Sequence, residues 1–241
     1  GKPFLDACSK QGIHAELVKT VPDCKTGHAV IQVSEEGENS ILLFGGANQR
    51  QDRAYIDHVL SKFDRGDYLM LQNEVNELPY LIDRAYEIGM KIVLNPSPFN
   101  DIILKCDLDK VSWLLVNEIE CRQILEADCD EKPAEQLRRK YPGCNIVVTL
   151  GKNGARCWID GQAISQRAFS VTPVDTTGAG DCFTGYLIGM TAAGYSCQDA
   201  LRTATAASAL CITRPGAAES VPTYAEVQAA LRGSIEPTVR S

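Results

Sequence analysis

Asp181 follows three small residues, Gly178-Ala179-Gly180, and precedes apolar positions at helical spacing, Phe183, Leu187 and Met190. Small residues at a helix start leave backbone N–H groups uncovered at the positive end of the helix dipole. That arrangement holds an anion, most often a phosphate. A carboxylate at the same point is no phosphate ligand, since like charges repel. It is placed to take a proton from a hydroxyl that attacks the phosphate. An anion hole beside a base is the minimum apparatus of a phosphotransferase acting on an alcohol. Taken alone, Gly178-Ala179-Gly180 is read more simply as a glycine-rich loop, with Asp181 a helix-start residue suited to the dipole.

Three further places carry chemistry-capable residues. Asn117 and Glu120 stand three apart at an expected helix start and point to one side. They read either as a capping box or as a carboxylate that can hold the water shell of Mg²⁺. Thr149-Leu150-Gly151-Lys152-Asn153-Gly154 is a Gly-flanked turn after an apolar run, either a strand connector or a nucleotide loop. Glu74 follows a short apolar segment, where a carboxylate can accept hydrogen bonds from sugar hydroxyls or sit solvated.

These residues need a frame to position them. Residues 28–33 and 40–44 flank the polar, Gly-containing stretch Glu35-Glu36-Gly37-Glu38-Asn39, the pattern of a hairpin. From there strands and helices alternate. Strands are expected at Tyr68–Leu71, Ile92–Leu94, Trp113–Val116 and Ile146–Leu150. Helices are expected over Leu78–Ile88 with Gly89 as its stop, from Glu118, and from Pro133 to about Tyr141. Two hairpin strands follow, around Ala155–Ile159 and Gln162–Phe169, then helices at Asp181, Asp199–Ile212 and Tyr224–Leu231. Alternation of this kind argues for an α/β fold: a mostly parallel, doubly wound sheet with helices on both faces, whose ligands bind beyond the carboxyl ends of the strands. Glu74, Asn95, Asn117 and Gly151 each follow an expected strand.

The composition sets bounds. At 241 residues the chain is expected to form a single domain. A formal charge of −7 gives no electrostatic reason to bind nucleic acid or an anionic membrane. No apolar span long enough for a membrane and no signal peptide is evident, and the expected location is cytoplasmic. Ten cysteines occur without a C-x-x-C and with only three histidines, so buried free thiols are expected rather than disulfides or zinc.

The longer string Asp175-Thr176-Thr177-Gly178-Ala179-Gly180-Asp181-Cys182-Phe183-Thr184-Gly185 resembles the C-terminal signature of the ribokinase-like (PfkB) carbohydrate kinases. Tyr186 departs from the small residue many members carry there. The resemblance spans the chain in the family's order: Gly37-Glu38-Asn39-Ser40 with Gly45-Gly46-Ala47-Asn48, Leu71 to Glu74, Leu94-Asn95-Pro96-Ser97-Pro98, Asn117 to Glu120, Thr149 to Gly154, and Thr213 to Pro222.

By that resemblance the hairpin, about residues 26–46, is a lid over the sugar that often pairs with a second subunit's lid, which implies a homodimer. Asp181 is the base, and the amides of Gly178, Ala179, Gly180 and Asp181 hold the transferring phosphoryl group. Asn117, Thr149–Gly154 and Gly180 contact the nucleotide, with Thr205 near the adenosine. Glu120 serves Mg²⁺ through water. Asp175, Thr177, Cys211, Arg214, Gly216 and Ser220 match the family's potassium site, with a carboxylate from Asp175, a hydroxyl from Ser220 and backbone carbonyls from the others. Glu74 is the sugar contact. The implied cofactors are ATP, Mg²⁺ and a monovalent cation.

The "GEN…GAN" and "NPSP" segments favour transfer to the 5-hydroxyl of D-ribose. A kinase for another small sugar or a nucleoside, or a non-catalytic binding relative, stands as the alternative. Because Gly1-Lys2-Pro3-Phe4 opens within an expected helix and no initiator Met is present, the chain is expected to lack the family's N-terminal part, including its sugar-gripping Gly-Gly motif.

Overall fold

The computed structural model describes residues 1–33, 39–126, 133–159 and 161–233. The turn expected at Glu35–Glu38, and with it Gly37 and Glu38 of the first motif, lies outside them. The chain divides into two compact units, Gly1–Val111 and Ser112–Ser241.

The first unit opens with α1 (Lys2–Lys10), which has a Pro in its first turn and Gly12 at φ +68° just beyond its end. The expected hairpin forms: β1 (His28–Val33) pairs antiparallel with β2 (Asn39–Phe44), in a register that sets His28 opposite Phe44. The segment after it is anchored by two glycines. A Cβ on Gly46 would stand 2.3 Å from the Lys25 carbonyl oxygen, and one on Gly27 would stand 2.7 Å from that of Gly45.

Helix α2 (Arg53–Leu60) is absent from the sequence-based expectation. Its signals are present: Asp52 accepts the Tyr55 N–H at 2.8 Å as an N-cap, and Ile56 and Leu60 are buried four apart. Ile56, Val59 and Leu60 keep helical spacing, but eight residues give barely two turns of it, too short a period to stand out.

Parallel strands β3 (Tyr68–Gln72) and β4 (Lys91–Asn95) flank α3 (Leu78–Ile88), with Gln72 opposite Asn95. Leu78, Leu81, Ile82 and Ala85 recur at helical spacing and are buried. Each large aliphatic among them contributes roughly 1.5–3 kcal/mol on burial. Gly89, at φ +87°, closes the helix, and the consecutive buried Ile92, Val93 and Leu94 mark a strand covered on both faces.

The second unit runs β5 (Trp113–Asn117), α4 (Glu118–Leu125), α5 (Pro133–Lys140), β6 (Asn145–Thr149), β7 (Ala155–Ile159), β8 (Gln162–Gln166), α6 (Ala179–Ala192), α7 (Cys197–Cys211) and α8 (Tyr224–Gly233). Strands β5 and β6 are parallel, which brings their carboxyl ends, Asn117 and Thr149, side by side. Strands β7 and β8 extend the sheet antiparallel.

Helices α6 and α7 pack closely because small residues face the contact. Ala204, Ala206, Ala207 and Cys211 of α7 are buried without exposure. Strand β8 ends at Gln166, three residues short of the expected end, because Gln166, Arg167 and Ala168 instead hug the turn at Gly154. Helix α6 starts two residues before Asp181, so Ala179 and Gly180 belong to its first turn. The nine cysteines among the described residues are all free. Burial pushes the thiols of Cys157 and Cys182 up to about 12 and that of Cys106 to about 11, so they stay protonated at neutral pH. No described helix is long and apolar enough to cross a membrane.

Candidate active site

The start of α6 is built to leave amides open. Its N-cap is Gly178, at φ +74°, and no side chain caps it. Cys182 is the first N–H to close a helical turn, onto the Gly178 carbonyl at 2.9 Å. The amide of Gly180 ahead of it is one that a helix leaves without an intrahelical partner. A Cβ added at Gly180 would meet nothing within 4 Å, whereas one at Gly178 would meet Ala217 at 3.4 Å.

The loop before this turn is fixed from several directions. The C-terminal end of α7 holds it: the Ile212 carbonyl accepts the N–H groups of Val174 at 2.7 Å and Asp175 at 3.2 Å, and Ser208 Oγ donates to the Ala179 carbonyl at 3.1 Å. The Asp175 carboxylate braces it again, with one oxygen on the Thr177 N–H at 2.9 Å and the other on the Gly216 N–H at 3.0 Å. These donors, the Thr177 amide foremost, hold the Asp175 carboxyl below the usual carboxylate range.

Cavities lie on either side of that turn. One is a groove of about 1090 Å³, to which Thr176, Ala179, Gly180 and Phe183 contribute. The other, about 660 Å³, is lined by Gly178, Asp181, Gly185 and Tyr186 together with Ala217 and Tyr224. The turn thus gives Ala179 and Gly180 to a groove roomy enough for a phosphorylated ligand and Asp181 to the cavity on its other side. Such a placement suits a base that must not repel the donor's phosphates.

The groove brings together most of the residues expected to serve a nucleotide. Thr149, Gly151, Lys152, Asn153 and Gly154 line it, as does Thr205. Leu150 is not among the lining residues; its N–H donates to the Gly154 carbonyl at 2.8 Å and closes the turn. Gly154, at φ +96°, cannot be replaced cheaply, since a Cβ there would stand 2.0 Å from the Gln166 carbonyl oxygen. Thr205 lends its surface only, because its hydroxyl donates to the Leu201 carbonyl at 2.8 Å.

Sequence reasoning missed the wall that runs from Arg167 to Pro173, with the buried Phe169, and the α7 residues Ser208, Ala209 and Ile212. That wall has no period and no motif. Its only signal is an irregular apolar stretch between a strand and the anion loop.

Asn117 and Glu120 form a complete capping box. The Asn117 side-chain oxygen accepts the N–H groups of Ile119 and Glu120, both at 2.9 Å, and Glu120 Oε2 accepts the Asn117 N–H at 2.9 Å. Glu120 is 6% exposed. The pair sits beside Thr149 across the β5–β6 ladder, next to the groove rather than within its lining.

The residues matched to a cation site fall into two sets. Asp175, Thr177 and Gly216 are gathered by the carboxylate bridge. Cys211 Sγ meets Ser220 Oγ at 3.0 Å, and that hydroxyl also contacts the Ala217 carbonyl at 2.7 Å. The Arg214 side chain turns away to Glu226 at 2.6 Å, leaving only its backbone beside Cys211. Among the described residues no group of three His, Cys, Asp or Glu side chains is placed to hold a metal ion.

In the first unit, Glu74 is exposed on a loop held by amide side chains. Asn73 Nδ2 donates to the Pro98 carbonyl at 2.6 Å, Asn76 exchanges two hydrogen bonds with the Gln51 backbone, and Gln49 Nε2 donates to the Glu74 carbonyl at 2.7 Å. Asn73 and Asn76 are positioning residues that sequence reading passed over.

Comparison with known proteins agrees with this geometry. The model of the pfkB family carbohydrate kinases matches residues 1–224. The ribokinase of Schizosaccharomyces pombe is 31% identical over 241 residues, covering 94% of this chain and 74% of that protein. The structure of ribokinase from Cryptococcus neoformans var. grubii in complex with ADP matches with a TM-score of 0.81 at 31% identity, covering 95% of this chain and 79% of that one. That of Arabidopsis thaliana ribokinase complexed with ribose and ATP matches at 0.76 and 27%, covering 92% and 74%. The ribokinase-like α/β fold expected from the alternating strands and helices is therefore the fold of this chain. Motif order, fold and likeness converge, and the chain belongs to the pfkB family of carbohydrate kinases, phosphotransferases with an alcohol group as acceptor.

Proposed function

We propose that the protein transfers the γ-phosphoryl group of ATP to the 5-hydroxyl of D-ribose. The observation that carries this reading is the α6 start, with Ala179 and Gly180 lining the large groove and Asp181 lining the cavity opposite. The groove takes ATP along Thr149–Gly154. Asp181 accepts the proton of the attacking hydroxyl, and the amides of Gly178, Ala179, Gly180 and Asp181 meet the charge that gathers on the transferring phosphoryl oxygens. Glu74 accepts hydrogen bonds from sugar hydroxyls. The choice of ribose rests on the relatives' names and on the motifs that resemble theirs.

The residues fit a monovalent cation beside Asp175. The carboxylate accepts the Thr177 and Gly216 N–H groups and the Thr177 side chain, three of its roughly four acceptor positions, which leaves room for a further ligand, and the loop around it supplies backbone carbonyls. A bound potassium ion contributes charge and order to the anion loop. For Mg²⁺ the described residues offer no carboxylate cage, and Glu120 already holds the Asn117 amide. Mg²⁺ fits as the hydrated companion of the nucleotide's phosphates, with Glu120 touching its waters. The hairpin exposes Leu42 at 73%, together with Val30, Leu43 and Phe44, which suits pairing with a second copy; sedimentation that finds only monomer would contradict this.

Turnover of ribose with MgATP tests the reading. Asp181→Asn is expected to lower turnover by about two to four orders of magnitude while ATP still binds. Near-normal turnover in that variant would remove Asp181 from its role. Phosphorylation of another sugar or a nucleoside, but not ribose, would overturn the substrate assignment alone.

A further inference from the structure

The groove carries two cationic side chains that the anion hole does not explain. Lys152 lies on the turn after β6 and Arg167 on the segment after β8, and both line the cavity. Their backbones are adjacent because Gly154 is pressed against the stretch that holds Arg167. A Cβ on Gly154 would stand 2.6 Å from the Ala168 nitrogen and 2.7 Å from the Arg167 carbonyl carbon.

Neither side chain forms a salt bridge or side-chain hydrogen bond among the described residues, and both are exposed. Two other arginines of the same unit are paired, Arg156 with Glu135 and Arg214 with Glu226. No carboxylate lines the groove, although the chain as a whole carries 31 acidic against 24 basic residues. Two cations with no paired carboxylate among the described residues, in a groove whose described lining holds no acid, suit a polyanion.

We propose that Arg167 and Lys152 together clamp the polyphosphate of the bound nucleotide. Arg167 is then a positioning residue that holds the chain of phosphates along the groove, in line with the Gly180 amide. An arginine fork can take two phosphate oxygens at once, while the lysine acts as a point charge beside it. The inference rests on the ATP reading above and deepens it, since it assigns discrimination between nucleoside and nucleotide to two named side chains.

Calorimetric titration of the protein with ATP, ADP and adenosine tests it. Arg167→Gln and Lys152→Gln are each expected to weaken ATP and ADP by about fivefold, to compound in the double variant, and to leave adenosine unchanged. The wild-type preference for ATP should shrink as ionic strength rises, and Arg167→Lys should recover most of the loss. Both side chains are exposed, with no paired carboxylate among the described residues, so the variants are expected to melt as the wild type does.

An equal loss for adenosine and ATP would mean that Arg167 stacks on the base, and would overturn the clamp. So would unchanged ATP affinity in the double variant. A wild-type protein that binds no nucleotide would instead overturn the ATP reading, and the clamp with it.

Discussion

Helices α4 and α6 belong to one unit and begin in opposite ways. At α4, Asn117 accepts two first-turn amides and Glu120 returns a bond to the Asn117 N–H, so the helix end is closed by its own residues. At α6 the N-cap is a glycine in the left-handed region, no side chain caps the first turn, and the residues there are Ala179, Gly180 and Asp181. A capped start contributes stability, and an uncapped one forgoes it. Helices α2 and α7 are capped as well, by Asp52 and Ser196. Helices α1 and α3 also lack a side-chain cap, but each carries a Pro in its first turn, whereas α6 has Gly180 there. The loop before it is held instead by α7 and by the Asp175 bridge, so that its amides stay both ordered and available. Order without capping is what an anion site requires.

Substitution at each start should have opposite signatures. Gly180→Ala adds a methyl group where nothing lies within 4 Å, and Ala exceeds Gly in helix preference by roughly 0.5–1 kcal/mol. The variant should melt at or above the wild-type temperature, yet lose turnover by about tenfold or more, short of the roughly 10²–10³ that removal of one oxyanion donor costs. A variant with intact turnover would mean that no ligand approaches that face. Asn117→Ala should do the reverse. Loss of its cap should lower stability by about 0.5–2 kcal/mol, read by thermal melting, while kcat stays within severalfold of wild type. A collapse of turnover at unchanged melting temperature would give that corner a catalytic role instead.

The smallest expected effect concerns Asp175. Its folded pKa lies below the ordinary carboxylate value, held there by the Thr177 and Gly216 donors, so the ionised form is favoured by the fold. Its contribution is full above the unfolded pKa and is lost as pH falls through the lower folded value. Asp175→Asn should therefore be less stable than the wild type at neutral pH and converge with it under acid conditions. Parallel stability curves across that window would show that the bridge contributes nothing. In kinetics, the same substitution should remove activation by potassium over a tetramethylammonium buffer, and equal activity of the wild type in both buffers would contradict the cation site.

The strand and helix pattern was legible because buried parallel strands read as apolar runs and because Gly89 and Pro133 punctuate the helices. The anion turn was legible because small residues followed by Asp have few other uses in that string. What stayed hidden depends on contacts far apart in sequence. The wall from Arg167 to Pro173 has no period of its own and becomes a surface only when Gly154 and α7 are brought against it. The sequence left two readings open for Asn117 and Glu120, and the structure shows the capping geometry in full. The motif also concealed how α6 is supported, since Ser208 and Ile212 lie some thirty residues away and carry no signal until α7 folds back.

The central claim is that the first-turn amides of α6 are kept open for phosphate while those of α4 are not. Amide-resolved NMR of the labelled protein, titrated with an ATP analogue whose β–γ bridge is methylene, tests this directly. With Mg²⁺ left out of the titration, so that Glu120 has no hydrated cation to meet, the Gly180 and Asp181 amide resonances should move to a saturating end point, and those of Ile119 and Glu120, bonded to Asn117, should stay nearly fixed. Stationary Gly180 and Asp181 resonances at saturation, or shifts at Ile119 and Glu120 as large as theirs, would contradict it.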